Sequence, residues 1–586
     1  METDNISLGG KIWRLNQIDE GACVRVSESF NLPEYLAKIL LARGVEFDEV
    51  ENFLNPKLQN LMPDPYCLKD MKKAVERVAT AIENKEKIAI IGDYDVDGAT
   101  STSILKKFFS ACAIDPLIHI PSREEGYGPS DAAFAEFEAG GAKLAITIDC
   151  GTTAFDVLNR ASEKGFEIIV IDHHEAEVKL PNVFALINPK RLDEENPHKH
   201  LQYMSAVGVG FMFLVGLNRE LRNRGFFAKV KAPDLLKMLD LVALGTVCDV
   251  VPLKGLNRAY VKQGLKVLAQ LENIGLKNLM AVAGVNSAPT SYTLGFMLGP
   301  RINACGRVGN ADLENILLCS QDELEAKSLA EKFNQFNAER KDIENYVLLQ
   351  AIEQIEKKPA EYPIAFVYGK DWHQGVIGIV AGKLRERYNV PAFVMSIEQD
   401  EVKGSARSID GLDLGALIIS AKEKGVITGG GGHLMAAGFS LTEEQIPAFK
   451  KFVGEYVEEK LGKEKVVAVL PIDAALSLSA VNYELCEKIN LLEPYGAGNP
   501  EPIFMFKNVG IAKPQIIGNG HIKCFLGSAT GASVKAVCFN AADNQIGQAL
   551  LNHRGEIFDV VGYIKADNWM GRKDVQIIIN DMKRST

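Results

Sequence analysis

Residues 87–98 read KIAIIGDYDVDG. The apolar run Ile88–Ile91 halts at Gly92, and aspartates follow at alternate positions: Asp93, Asp95 and Asp97. A strand that is apolar at every position is buried on both faces, as in a parallel sheet covered by helices. The next stretch, ATSTSILKKFFSACA, reads as the covering helix. The same unit then recurs. PLIHIP, LAITIDCG, EIIVIDHH and FALINPK read as strands, with SDAAFAEFEAG and AFDVLNRASEKG as helices between them. Short apolar strands alternating with helices predict an α/β domain with a parallel sheet. Functional groups gather beyond the carboxyl ends of such strands. Acids stand at those ends here: Asp93, then Asp149, then Asp172 with His173 and His174 beside it.

Working outward, residues 1–75 read as an irregular, partly helical N-terminal extension, and Met71–Lys87 as a helix leading into the first strand. A mainly helical stretch, Ala206–Leu318, carries a fourth acid, Asp249, in GTVCDVVPL. The first α/β domain is assigned to 76–320 and one long polar helix to 321–358. Polar helices of that length commonly bridge domains. Alternation returns at 359–462, with PIAFVYG and AFVMSI as strands around the helix GVIGIVAGKLRERY. Residues 463–586 change texture to short strands with Gly and Asn turns, a pattern that fits a small barrel. The expected fold class is α/β, with two α/β domains joined by a long helix and followed by a C-terminal β-barrel.

Composition narrows the function classes. The chain has 586 residues, enough for several cores. No apolar run reaches the ~20 residues of a membrane span, and METDNISLGGKIWRLNQ lacks a signal core. The expectation is a cytoplasmic protein with no membrane partner. The 10 cysteines include no CxxC pair, which argues against zinc fingers and redox motifs. Net charge is −11, a mild argument against a nucleic-acid partner, although local patches set the field in a groove.

Carboxylates crowded at one sheet edge would repel and raise one another's pKa; divalent cations remove that penalty. Carboxylates select Mg²⁺ or Mn²⁺, and an imidazole among them favours Mn²⁺. Two such ions ~3.5–4 Å apart clamp a phosphodiester and activate water. One aspartate after a strand is usually a cap or turn. Acids closing three strands of one sheet, one followed by two histidines, are a site. A calcium loop is excluded, because the twelfth position counted from Asp93 is Ile104 where that loop needs Glu.

GDYDVDG, TIDCG, IDHH and TVCDVVPL resemble the four successive motifs of the DHH phosphoesterase superfamily. The resemblance implies that Asp95, Asp97, Asp149, His173 and Asp249 bind metal, with two Mn²⁺ or Mg²⁺ ions as cofactors. It implies catalytic or supporting roles for Asp93, Asp172 and His174. GSARS and GGGGHLMAAG are similar to the DHH-associated domain. The extended lead-in, IPSREEGYG, RINACGR and LLEPYGAGNPEPIF resemble the RecJ branch. Members of that branch commonly carry Ala where Cys248 and Cys305 stand here. Substrate contacts are expected from Arg123, Arg301, Asn303, Arg307, His373, Ser405, Arg407, Ser408, Gly431, Gly432 and His433. Arginine forks suit phosphate, and a glycine run can form an anion-binding nest.

The barrel is expected to be OB-like and to stack bases on aromatics beside basic residues. Trp569, Lys523 and Arg572 are its leading contacts, with Phe504, Phe506, Phe525 and Tyr563 as further aromatics and Lys507, Lys513, Lys535, Lys565 and Lys573 as further cations. The implied activity is a metal-dependent exonuclease on single-stranded DNA, 5′ to 3′, releasing mononucleotides in DNA repair and recombination. The implied partners are single-stranded DNA, single-strand-binding protein and a RecQ-type helicase. A phosphodiesterase for short oligonucleotides or cyclic dinucleotides would lack the barrel, and a scaffold with a decayed site would have lost acids.

Overall fold

A computed structural model describes residues 6–122, 125–195, 198–309, 312–357, 361–463, 466–567 and 573–585. The chain divides into two compact units, 14–334 with 471–586, and 335–470 with the first 13 residues.

The larger unit holds a five-stranded sheet: β1 Ile88–Ile91, β2 Leu117–His119, β3 Leu144–Ile148, β4 Glu167–Ile171 and β5 Ala185–Ile187. All pairings are parallel, in the order β2-β1-β3-β4-β5. Every residue of β1 and β3 is buried, which is why those segments show no alternation in the sequence. Pairing of Ile91 with Thr147 and of Ile148 with Ile171 brings the ends of three acid-tipped strands level. Three helices complete the site: α1 Val96–Ala111 after the DxD loop, α2 Ala206–Asn223, and α3 Leu239–Cys248, which delivers Asp249 at its C-cap. Helix α4, Gly299–Val308, carries RINACGR and follows a π-helical turn at Thr293–Leu298. Helix α5, Glu323–Lys357, runs from this unit into the other.

The smaller unit has strands β6 Ala365–Lys370, β7 Ala392–Glu398, β8 Glu401–Arg407, β9 Gly429–Gly432 and β10 Ala436–Thr442, ordered β9-β10-β8-β7-β6. Helix α6, Gln374–Tyr388, packs on β7 and β8. The glycine run is therefore an edge strand, paired antiparallel with 437–440, and not the nest expected of it. A Cβ at Gly432 would stand 2.5 Å from that of Ala437, so the pairing itself accounts for a glycine there.

The C-terminal segment of the larger unit forms β11 Ala474–Ala475, β12 Phe504–Ile517, β13 His521–Gly527, β14 Ser533–Cys538, β15 Ile557–Asp567 and β16 Asp574–Arg584. Pairing of β12 with β15 closes the sheet into a barrel. Among the described residues no helix is long and apolar enough to cross a membrane.

Arg258 joins the barrel to the parallel-sheet domain. It is 1 % exposed and donates to the carbonyls of Phe53, Leu492, Glu493 and Pro494 at 2.6–3.2 Å. Its guanidinium also lies 3.8 Å from the centre of the Phe53 ring. Arg43 donates to Asn499 and to the Pro500 carbonyl, and the Leu253 N–H to Ala497. LLEPYGAGNPEP is thus a strap whose backbone polar groups are met by two arginines. Each buried carbonyl left without a donor costs ~1–3 kcal/mol. Arg258→Ala is therefore expected to lower unfolding free energy by at least ~3 kcal/mol, read as a fall in the urea midpoint. A loss below ~1 kcal/mol would contradict this role.

Candidate metal centre

Asp95 opens α1 as its N-cap, with Oδ1 accepting from the Gly98 N–H at 3.0 Å. That turn directs Asp97, which is 1 % exposed, at the start of α2. Its two oxygens accept from the N–H groups of Ala206 (2.6 Å) and Val207 (3.0 Å). The positive end of a helix thus offsets part of its burial. Space for this carboxylate depends on Gly245 of α3: a Cβ there would sit 2.8 Å from Asp97 Oδ1 and 2.3 Å from Thr100 Oγ1.

Asp149 follows β3 in the left-handed region (φ 63°), and Val250, next to Asp249, shares that conformation (φ 61°). Non-glycine residues there store ~1–3 kcal/mol of strain and cluster at functional sites. Asp172 follows β4 and organises both histidines. Its Oδ1 accepts from the N–H of His173 (2.8 Å) and from Nδ1 of His174 (2.7 Å), and its Oδ2 from the Thr152 N–H (2.9 Å). Burial alone would raise this carboxyl. The hydrogen bond and charge of His174, with the Thr152 N–H, instead hold it well below the usual range. The same pair raises His174 against the pull of burial.

His173 Nδ1 lies 3.0 Å from the Met204 carbonyl and donates to it. Nε2 is left as the lone pair, 3.2 Å from Asp149 Oδ1. Burial and the neighbouring His174 push His173 down to about 3, so it is neutral. A second hydrogen bond that fixes the tautomer is the usual support of a metal-binding imidazole.

Burial and mutual repulsion raise Asp97, Asp149 and Asp249 far above ordinary carboxyls. His173 Nε2 and Asp249 Oδ2 are buried without a hydrogen-bond partner. Potential ligand atoms converge within 4.8 Å in three overlapping triads: Asp149, His173 and His174; Asp97, His173 and Asp249; Asp93, Asp95 and Asp149. Repelling acids, a neutral imidazole and unmet acceptors fit divalent cations held by carboxylates.

Several supporting residues were not singled out from sequence. The Tyr127 hydroxyl donates to the Asp149 carbonyl (2.9 Å) and lies 3.2 Å from His174 Nδ1. Asn188, fully buried, donates to the Thr152 hydroxyl and the His174 carbonyl, both at 2.9 Å. Tyr127 lies within the quoted IPSREEGYG and Asn188 at the end of a strand, but nothing local marks their partners.

The expected substrate residues have varied surroundings. Arg301 is tied to the Met297 carbonyl (2.6 Å) and to Asn334 (3.0 Å). Asn303 Oδ1 is buried without a hydrogen-bond partner, and Arg307 is half-buried. A Cβ on Gly306 would lie 2.8 Å from the Tyr94 carbonyl, so RINACGR packs directly on the DxD loop.

In the smaller unit, His373 caps α6 by accepting from the Gly375 N–H. Ser408 is fully buried and donates to the Leu412 carbonyl (2.7 Å). Arg407 donates to Ser405 Oγ (3.1 Å) and the Ala406 carbonyl (2.8 Å). Burial and nearby Arg385 pull its guanidinium down, and among the described residues no carboxylate pairs with it. Gly431, Gly432 and His433 lie exposed along and just after the edge strand. Arg123, Trp569 and Arg572 lie outside the described residues.

In the barrel, Phe504 and Phe506 are core, while Lys523, Phe525 and Tyr563 are half-buried. Lys535 pairs with Asp567 (2.5 Å) and Lys565 with Glu501 (2.6 Å), so these two cations are already matched within the chain.

Family models match along the chain: the DHH family N-terminal domain at 87–246, the DHHA1 domain at 361–459 and the RecJ OB domain at 472–581. The single-stranded-DNA-specific exonuclease RecJ of Bacillus subtilis is 33 % identical over 97 % of this chain and 70 % of its own length. The chain belongs to the RecJ family. The crystal structure of Thermus thermophilus RecJ in complex with Mn²⁺ superposes with a TM-score of 0.81 at 27 % identity, covering 100 % of this chain and 80 % of that one. The same protein in complex with Mg²⁺ gives 0.75 at 25 % identity, covering 98 % and 78 %. Those RecJ structures hold Mn²⁺ and Mg²⁺, and the acid cluster here has ligand atoms grouped closely enough to hold such an ion.

Removing an oriented outer partner of a metal site costs ~10–100-fold in metal affinity. Asp172→Asn keeps the shape but weakens the hold on His174, and is expected to shift the Mn²⁺ concentration for half-maximal hydrolysis upward by that factor. An unchanged Mn²⁺ dependence would contradict the positioning role.

Proposed function

We propose that this chain is a metal-dependent exonuclease that hydrolyses phosphodiester bonds of single-stranded DNA from the 5′ end, releasing mononucleotides in repair and recombination. The observation that carries this reading is the acid–histidine cluster at the carboxyl edge of the sheet. It stands in a chain whose RecJ relatives, named single-stranded-DNA-specific exonucleases, match along 97 % of it. Two cations are assigned to Asp95, Asp97, Asp149, His173 and Asp249, because the triads overlap at Asp149 and His173. Bound there, they would supply charge neutralisation at the phosphate and a lowered pKa for water. Asp172 orients both histidines, Asp93 adds a carboxylate at the rim, and His174, raised by Asp172, stands beside Asp149. The barrel contributes single-strand affinity through Lys523, with Trp569 and Arg572 as further contacts. Single-strand-binding protein and a RecQ-type helicase are the protein partners this reading implies. A cytoplasmic site of action belongs to the same reading.

The 5′ end is assigned to Ser405 and Arg407. Arg407 is a half-buried guanidinium bonded only to a serine and a carbonyl in the described surroundings, so it remains open to an anion. A terminal phosphate carries more charge than an internal diester and benefits more from such a donor.

The test uses end-labelled single and double strands with 5′-phosphate or 5′-hydroxyl ends. Wild type is expected to digest single strands from the 5′ end with Mn²⁺ or Mg²⁺, and to do nothing in EDTA. Asp149→Asn is expected to be inactive. Arg407→Ala is expected to narrow the 5′-phosphate preference, since a charge-assisted hydrogen bond is worth ~1.5–3 kcal/mol, roughly 10- to 150-fold. Digestion from the 3′ end, or full activity in EDTA, would refute the proposal.

A further inference from the structure

Beside the metal centre lies a cavity of about 770 Å³, bounded by the end of α3, the π-helical turn, α4 and the strap before the barrel. Cys248 and Val250, the two neighbours of Asp249, are in its wall, so it lies next to the acid cluster. At its mouth two large aromatics stand in water, Tyr292 at 63 % and Phe296 at 71 % exposure. Their rings are stacked, 5.0 Å apart and within 17° of parallel. They are four residues apart, a spacing that places side chains on one helical face. The helix is locally π-wound at 293–298, a distortion that recurs at functional sites. Nothing in the core needs these rings, and exposing both costs hydrophobic free energy.

The chemistry of the wall selects the occupant. Its lysines are answered within the cavity: Lys565 pairs with Glu501 (2.6 Å), and Lys262, which donates to the Leu54 carbonyl, shares the wall with Glu493. The cavity therefore offers no surplus positive charge for a phosphate. It offers aromatic faces and, from the wall, the amide side chain of Asn303. A nucleobase has that combination of a flat π-face and an edge of donors. Base–aromatic stacking is sequence-tolerant, as a nuclease that advances along a strand requires.

We propose that Tyr292 and Phe296 form a stacking step that receives one base of the single strand on its way between the metal centre and the barrel. This deepens the single-strand reading above and rests on it. The rings are positioning residues: they set the register of the strand and act on the scissile bond only through it.

The experiment places 2-aminopurine at successive positions of a 5′-phosphorylated oligo(dT) and follows its fluorescence on binding the full chain in EDTA, where cleavage is stopped. Stacking on an aromatic quenches this base. Wild type is expected to quench strongly at one or two adjacent positions. Tyr292→Leu with Phe296→Leu keeps apolar bulk at both exposed positions and is expected to lose that local quench. The loss of affinity should be about 5- to 150-fold. Phe296→Tyr, which keeps a ring, is expected to retain the quench. Unchanged position-dependent quenching and affinity in the double leucine variant would overturn the stacking step alone. Failure of wild type to bind single strands at all would overturn the nuclease reading and this inference together.

Discussion

Carboxylates cannot share a dry pocket as anions unless something positive joins them. Asp97, Asp149 and Asp249 are raised by burial and by one another, and Asp93 and Asp95 stand within ligand distance of Asp149. Much of the surrounding structure answers this constraint. The start of α2 gives two N–H groups to Asp97. Gly245 withholds a side chain where that carboxylate lies. The backbone bends into the left-handed region at Asp149 and again beside Asp249. Fold stability is spent on bringing acids together, which is sensible only if a divalent cation recovers it.

Asp172 shows the opposite case a few ångströms away. Each of its oxygens meets a donor, and its carboxyl is held below the usual range. Two aspartates after adjacent strands of one sheet thus diverge because one has partners and the other has rivals. This separates the groups that would grip a cation from those that hold the grip in shape. The His173 ring, fixed by the Met204 carbonyl, belongs to both sets.

The strands β1, β3 and β4 and their terminal acids were legible because a buried parallel strand writes itself as an unbroken apolar run, and an acid closing such a run is conspicuous. The barrel strands were legible from their short spacing and turn residues. Contacts between distant segments were not. Tyr127 meets Asp149 and His174, Asn188 meets Thr152, and Arg258 reaches segments more than 200 positions away on either side. No local pattern encodes such pairs. Backbone geometry also set local roles that residue type does not announce. Gly429–Gly432 form an extended edge strand paired with 437–440. Ser408 turns its hydroxyl inward to a carbonyl. His373 spends Nδ1 as a helix cap.

The central claim, that the acids destabilise the fold until a cation binds, is tested most directly by melting temperature at pH 8 for wild type and Asp149→Asn, each in EDTA and in saturating Mn²⁺. A carboxyl whose folded pKa is raised costs stability that grows as pH climbs from its unfolded value toward its folded one, so a cost is present at pH 8. A ligand that binds only the folded state raises stability by mass action. The account predicts a crossing: in EDTA the variant melts above wild type, and in Mn²⁺ wild type melts above the variant. Wild type melting higher in EDTA, with no response to Mn²⁺, would contradict it.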